Sequence, residues 1–491
     1  MKPFSLSLVL FSVFVLQNPL FTAADEPAKS NKPNFLFIIA DDLTFRDLGC
    51  YGGQAKTPNI DRFATEGMQF LKCFQTAPMC SPTRHNIYTG LYPVKSGAYP
   101  NHTFVKPGTK SVVQYLKPLG YRVALSGKTH IGPKTVFDFE YSAKNKNPDL
   151  EAVDTLLKEC KEATTPFCLF ACSNEPHTPW DKGDASRYPP DEIELPPYIA
   201  DTPTVRDGFS RYLAEISYYD QQVGDLLALL EKHELENDTL VIVVSEQGNS
   251  MPFAKWTCYD HGLQSAMLVR WPGKILPGSK SNAIVEYTDV LPTFLEAAGA
   301  TIDANLDGKS MLSLLQGKTT AHKDFSYGLM TTRGINDGSD YFAIRSIRND
   351  RYRFIWNPHH STTFQNACTT SPEFRSMVKA AKAGDKNAQE LVHRYQHRSE
   401  FELYDCERDP MQMNNLASDQ GLTDIREDLY AQLQKWLKEQ GDDPLETERI
   451  ALTRLGRYKG LSVEEADAKA LSQSSAKAKS KKTRKKKTSS K

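Results

Sequence analysis

Asn34-Phe35-Leu36-Phe37-Ile38-Ile39-Ala40-Asp41-Asp42 is the stretch that decides the fold. Up to Ala40 it reads as a continuous apolar run with no alternation between faces. Such a run fits a strand covered on both sides, as in the parallel sheet of an α/β protein. It stops at two adjacent carboxylates, which are costly at the end of a buried strand unless something positive holds them. In open α/β sheets, ligands bind at that edge. A solvated loop or a helix cap is the plainer alternative, but Leu43 to Cys50 does not read as a helix.

The pattern recurs along the chain. Met68 to Phe74, Arg122 to Ser126, Phe167 to Ala171 and Thr239 to Val244 read as further strands. Between them lie helices. Thr57 and Pro58 suit the N-cap and first position of one, with Ile60 and Phe63 on its apolar face and Gly67 at its end. Ser111 to Leu119 is another. Tyr212 to Lys232 carries Leu213, Ile216, Val223, Leu226 and Leu230 on one side. This alternation predicts a doubly wound α/β domain. After a helix over Pro292 to Ala298, stopped by Gly299, the pattern changes. Tyr341 to Arg348, Tyr352 to Trp356 and Glu402 to Asp405 read as antiparallel strands, with a last helix near Asp424 to Glu439. The expected organisation is a signal peptide at 1–24 and a catalytic domain at 25–330. A smaller subdomain at 331–445 and a basic, largely disordered tail at 446–491 complete it.

Polar residues cluster just after the strands. Asp41 and Asp42 follow the first; Gly127-Lys128-Thr129-His130 follows another. His177 sits between Pro176 and Pro179 in a loop that the prolines stiffen. Glu246 and Gln247 follow Val244, with Lys255 beyond. Asp41, Asp42, Glu246 and Gln247 offer hard oxygen donors, which suit calcium, less readily magnesium, and not zinc or copper. Arg84, Lys128 and Lys255 are cations of the kind that surround an oxyanion. His130 and His177 can move protons near neutral pH. Taken singly, a lysine belongs to a solvated face and a histidine in such a loop is structural. In company they read as a site.

Cys80-Ser81-Pro82-Thr83-Arg84 is the remaining element. It predicts a cysteine just before a short helix, with Ser81 at the N-cap, Pro82 first in the helix and Gly90 at the stop. Negative charge in place of the thiol would sit at the positive end of that helix. These five residues alone describe a free cysteine beside a structural arginine. With Thr89-Gly90 after them, the Asp41-Asp42 pair before and Gly127-Lys128-Thr129-His130 beyond, they resemble the signature of the type I sulfatases, in the alkaline phosphatase superfamily.

The resemblance, which spans Asn34 to Ala417, implies a large mixed sheet flanked by helices and a smaller C-terminal antiparallel sheet with a helix. It implies that Cys80 is oxidised to formylglycine by a maturation enzyme, and that the hydrated aldehyde attacks sulfur. It implies a calcium ion held by Asp41, Asp42, Glu246, Gln247 and the oxygen of residue 80. His177, helped by Lys255, would protonate the leaving group. His130 would deprotonate the hydroxyl of the sulfated intermediate and release sulfate. Arg84 and Lys128 would hold the sulfate group. The family more often has Asp, then Asn or His, where this chain has Glu246-Gln247; the longer side chains keep the oxygen chemistry and change its reach. Gly127 to Val136, then Phe137-Asp138-Phe139, is similar to the heparan N-sulfatases, which cleave N-linked sulfate from glucosamine. His261 has no assigned role and reads as structural or substrate-contacting.

Composition sets the remaining bounds. The 491 residues are 40% hydrophobic and 24% charged, ordinary for a globular protein long enough for two domains. Formal charge is balanced, yet Lys469 to Lys491 holds ten basic residues and no acidic one. That run is terminal and lacks interleaved aromatics, which argues against a nucleic-acid partner. Lys2, the apolar Phe4 to Leu16 and the small residues Thr22-Ala23-Ala24 predict a cleaved signal peptide, hence export to the periplasm or beyond, with no transmembrane span. Of nine cysteines, eight remain if Cys80 is converted, and all could pair in an oxidising compartment. The expected substrate is a sulfated oligo- or polysaccharide, its sulfate on oxygen or nitrogen. The alternatives are a phosphodiesterase or phosphonate hydrolase on the same fold, and a glycan-binding relative without activity.

Overall fold

The quoted run forms strand β1 (Asn34–Ile39), fully buried along its length. Its side chains point alternately into two cores. Leu36 and Ile38 pack on one face of the sheet, Phe35, Phe37 and Ile39 on the other. This is why the run shows no alternation of polarity: both faces are covered. The computed structural model describes residues Lys32 to Gln473. The expected signal peptide lies outside the described residues, as does the chain beyond 473.

The large sheet comprises β1, β2 (Met68–Phe74), β3 (Arg122–Gly127), β4 (Glu140–Ser142), β5 (Phe167–Cys172), β6 (Thr239–Val244), β7 (Gln264–Arg270), β8 (Ser279–Ser281) and β9 (Val285–Glu286). Its order is β4-β3-β5-β1-β6-β7-β2-β8, with β9 also paired to β2. Strands β3, β5, β1 and β6 are mutually parallel, and β7 runs antiparallel to both β6 and β2. The C-terminal ends of β1, β3, β5 and β6 therefore open on one edge, and every polar cluster singled out above follows one of them. Helix Pro203–Lys232 covers one face with Pro58–Glu66, and Cys80–Thr89 covers the other with Val290–Ala297.

The second sheet is antiparallel: β10 (Ser326–Met330), β11 (Ile344–Arg348), β12 (Tyr352–Trp356) and β13 (Phe401–Asp405) in that order. It takes its first strand from the N-terminal side of the expected 330/331 boundary. Helix Thr423–Gln440 packs Leu429, Leu433 and Trp436 on it. The Arg353 guanidinium, buried at 2.8 Å from Asp260, ties it to the large sheet. Between β12 and β13, helices Pro372–Lys382 and Lys386–Gln396 are inserted, and the first packs on Pro203–Lys232.

Four expectations need correction. Helix Cys80–Thr89 starts at Cys80, with Met79 at the N-cap. Ser81 is inside the helix, and the first carbonyl bond runs from Thr83 N–H to Met79. The long helix starts at Pro203, where Thr202 caps it by accepting from Val205 N–H, rather than at Tyr212. All nine cysteines are free thiols, most of them buried, so the expected pairing does not occur. The segment 446–473, assigned to a disordered tail, is ordered: Pro444–Ile450 is helical, two 3-10 turns follow, and 463–473 is helical again. Its physical anchor is Glu448, fully buried, which accepts from the backbone N–H of Thr332 (2.9 Å), Arg333 (2.9 Å) and Phe342 (3.3 Å) and from the Thr332 hydroxyl (2.8 Å). Among the described residues no helix is long and apolar enough to cross a membrane.

Candidate active site

The strand ends bring the predicted residues together. Asp41 follows β1 with its backbone N–H on the Glu175 carbonyl (3.0 Å). Asp42 adopts a left-handed φ of 65°, which aspartate tolerates better than most residues. Its carboxylate accepts from Lys255 Nζ and from Gln247 Nε2 and Ser250 Oγ, at 2.7, 2.8 and 2.8 Å. Burial alone would raise the Asp42 carboxyl, but Lys255 and His177 outweigh it and hold the group below its ordinary value. Lys128, leaving β3, pairs with Asp41.

Arg84 lies one turn into helix Cys80–Thr89 and is fully buried. Its Nε is 3.0 Å from Glu246 Oε1, its Nη2 3.2 Å from Oε2, and Nη2 also faces the Ala40 carbonyl at 3.3 Å. Burial works against this charge, and the Glu246 carboxylate more than restores it. The Gln247 amide bridges Asp42 and Glu246, and is fixed in turn by Gln75, whose Oε1 accepts from Gln247 N–H at 2.7 Å. Three buried carboxylates thus meet three cations.

Ligand atoms of Asp41, Asp42 and Cys80 lie within 4.8 Å of one another. Asp41 Oδ1 and Glu246 Oε1 are buried with no hydrogen-bond donor. The Asp41 and Asp42 oxygens are hard donors close to one point and fit a divalent ion such as calcium, whereas Glu246 Oε1 lies outside that group and faces Arg84 Nε at 3.0 Å. The Cys80 thiol itself is pushed up to about 11 by burial, against the pull of Lys255. It is therefore no thiolate nucleophile as it stands.

Above Cys80 opens a cavity of about 560 Å³. His130, His177 and Lys255 line it near Cys80, with Trp256 beneath the Lys255 ammonium at 4.7 Å. His177 Nδ1 is bonded to the Thr178 carbonyl at 2.7 Å, which leaves Nε2 facing Asp42 Oδ2 at 3.7 Å. Asp42 pulls the His177 imidazole up, but burial with Lys255 and Lys128 holds it down at about 4. His130 is fixed from two directions. Its Nε2 meets His102 Nδ1, and the loop after it is clamped by His85, whose Nε2 accepts from Gly132 N–H at 3.0 Å.

Chain order did not reveal His102, Ser250, Gln75 or Trp256; each sits in a polar or mixed loop that no periodicity marks. His261 is off the cavity. It is buried, stacked on Tyr198 at 4.2 Å and bonded to the Met411 carbonyl, a structural histidine.

The family model for sulfatases matches residues 33–300. This chain belongs to the sulfatase family. As a member it is a sulfuric ester hydrolase. A second model, the C-terminal part of N-sulphoglucosamine sulphohydrolase, matches residues 248–366. Over 425 residues the sulfatase is 34% identical to the ulvan-active sulfatase of Formosa agariphila, covering 84% of this chain and 82% of that relative. It is 26% identical to human N-sulphoglucosamine sulphohydrolase over 467 residues, 83% of this chain and 90% of that one. Its fold superposes, with a TM-score of 0.64, on a protein solved with its substrate D-glucosamine-2-N,6-O-disulfate. That match is 19% identical and covers 85% of this chain and 100% of the other.

Proposed function

We propose that this sulfatase is exported, binds calcium, and removes sulfate from a sulfated carbohydrate with residue 80 in its formylglycine form. The observation that carries the reading is the position of Cys80: first residue of a helix, open to the cavity, and within 4.8 Å of the ligand atoms of Asp41 and Asp42. Asp41, Asp42, Glu246 and Gln247 would hold the ion, with the oxygen of residue 80. When present, calcium supplies charge that polarises a sulfate oxygen and formylglycine supplies a hydrated aldehyde as nucleophile.

The chain's own residues do the rest. Arg84, Lys128 and Lys255 offset three carboxylates, so the charge of a divalent cation would be left to attract the single negative charge of the sulfate group and an ionised oxygen on residue 80. His177 donates its Nδ1–H to the Thr178 carbonyl, so Nε2 is the nitrogen that takes up a second proton; in that imidazolium form it delivers the Nε2 proton to the leaving oxygen or nitrogen beside Lys255. His130, with Nε2 engaged by His102, has Nδ1 unpartnered and able to accept a proton. The names of the relatives favour a carbohydrate. The resemblance over Gly127 to Phe139 and the match over 248–366 favour N-sulfate as a second reading.

Two measurements test this. Mass spectrometry of the peptide containing Cys80 from active protein should show the aldehyde in place of the thiol. Full activity with Cys80 wholly unmodified would sink the proposal. Sulfate release from N-sulfo-glucosamine and from a 6-O-sulfated glucosamine should occur with at least one, and the ratio decides between nitrogen and oxygen.

A further inference from the structure

One wall of the cavity above Cys80 comes from helix Pro203–Lys232, helix Pro372–Lys382 and the loop that also carries His177. Trp180, Arg211 and Glu373 line that wall. Glu373 is the second residue of helix Pro372–Lys382 and is only 7% exposed. Among the described residues its carboxylate has no hydrogen-bond or ion-pair partner. The helix does not use it as a cap: Ser371 Oγ takes that role, accepting from Phe374 N–H at 3.1 Å. Arg211 does not neutralise it either, being paired with Asp207 at 2.8 Å. The carboxylate lines the cavity, so its lone pairs are free to accept from a molecule bound there.

A second observation shows that room has been made for it. Gly208 lies inside helix Pro203–Lys232, where glycine is destabilising relative to alanine. A Cβ at that position would stand 2.9 Å from Glu373 Oε1 and 3.2 Å from Trp180 Cζ3. The glycine thus seats the carboxylate and the indole edge side by side.

We infer that Glu373 determines specificity for the sugar that carries the sulfate. It accepts hydrogen bonds from hydroxyl or amino groups of a ring seated against Trp180. It disfavours a ring that presents a carboxylate or a second sulfate against it, because like charges would meet at close range. A site built to receive a donor rejects an analogue that lacks it. This inference rests on the reading that the substrate is a sulfated carbohydrate.

The test uses the full-length, matured protein with three probes: N-sulfo-glucosamine, a 2-O-sulfated uronic acid and nitrophenyl sulfate. Glu373→Ala should raise KM for N-sulfo-glucosamine by about ten- to a hundredfold, the value of a hydrogen bond to a charged group. It should leave nitrophenyl sulfate turnover and the melting temperature unchanged. Gly208→Ala, which displaces the carboxylate, should move the sugar KM the same way. Glu373→Gln keeps the shape and removes the charge, so it should shift preference toward the uronic acid even if the alanine variant folds poorly. An unchanged sugar preference in Glu373→Gln, or a parallel loss on sugar and aryl sulfate in both Glu373 variants, overturns the inference. If the wild-type protein hydrolyses nitrophenyl sulfate but neither sugar, the carbohydrate reading itself has failed.

Discussion

His130 Nε2 lies 2.8 Å from His102 Nδ1, with the two ring centroids 4.5 Å apart. Burial and the Lys128 ammonium hold the His130 imidazole well below its ordinary range. Burial, with Arg457 and Lys255, lowers His102 as well. Two neutral rings at this distance share one N–H, so His102 fixes which nitrogen of His130 carries the proton. His102→Ala should therefore lower kcat by about tenfold or more, in the range seen when an orienting partner is removed, with little change in KM. His102→Asn, which can still accept at Oδ1, should recover part of the loss. Unchanged kcat in the alanine variant would show that His130 orients itself.

His177 offers a separable prediction. A nitrophenolate leaves with little protonation, whereas a sugar alkoxide needs a proton in the transition state. Positioned acid catalysis is worth roughly 10²–10⁴-fold. His177→Ala should slow sulfated-sugar hydrolysis by about that factor and an activated aryl sulfate much less. Equal slowing of both substrates would mean that His177 binds sulfate, and the acid role would pass to Lys255.

Metal removal should affect activity more than stability. Arg84, Lys128 and Lys255 already pair with the site's carboxylates, so the strand ends stay balanced without an ion. Thorough chelation should abolish sulfate release, and added calcium should restore it. Calcium at about a hundredfold above its Kd should also raise the unfolding free energy by about 2.7 kcal/mol, visible by calorimetry. Full activity after chelation counts against a metal site.

Glu215 makes stability depend on pH. Its Oε1 accepts the backbone N–H of Asp181 (2.6 Å) and Lys182 (3.0 Å), anchoring the loop that follows Trp180. Burial, with Glu175 nearby, pushes its carboxyl up from an ordinary 4.5 to about 8. A raised folded value means that the native state holds the proton more tightly than the unfolded chain. The stabilisation is complete below 4.5 and is lost as pH rises toward 8. Across that window the melting temperature of the wild type should fall more steeply than that of Glu215→Gln. Parallel curves would contradict it.

The parts of this molecule legible in the chain are those governed by local periodicity and by strand ends. Thr239–Val244 and Tyr352–Trp356 have the boundaries the apolar pattern predicts, because burial on both faces or strict alternation leaves a plain record. The polar cluster was legible because Asp41, Lys128, His177 and Glu246 each come soon after a strand, and parallel strands open on one edge. Ser326–Met330 escaped notice: it is short, holds a glycine, and gains its meaning only from pairing with Ile344–Arg348. The ordered segment near 446–473 was hidden by its composition; a single buried acid, Glu448, does what a hydrophobic face does elsewhere. His102 and Glu373 left no mark at all, since what singles them out is the distance to a neighbour, or the lack of one.

Glu448 has one more consequence. It holds the backbone from Thr332 to Phe342, and Ile335 and Asn336 within that span line the cavity. One flank of the pocket is thus held by a C-terminal segment, while Cys80 and the cations around it sit at the edge of the central sheet. Substitution at Glu448 should therefore reshape that flank while leaving Cys80 and its neighbours in place.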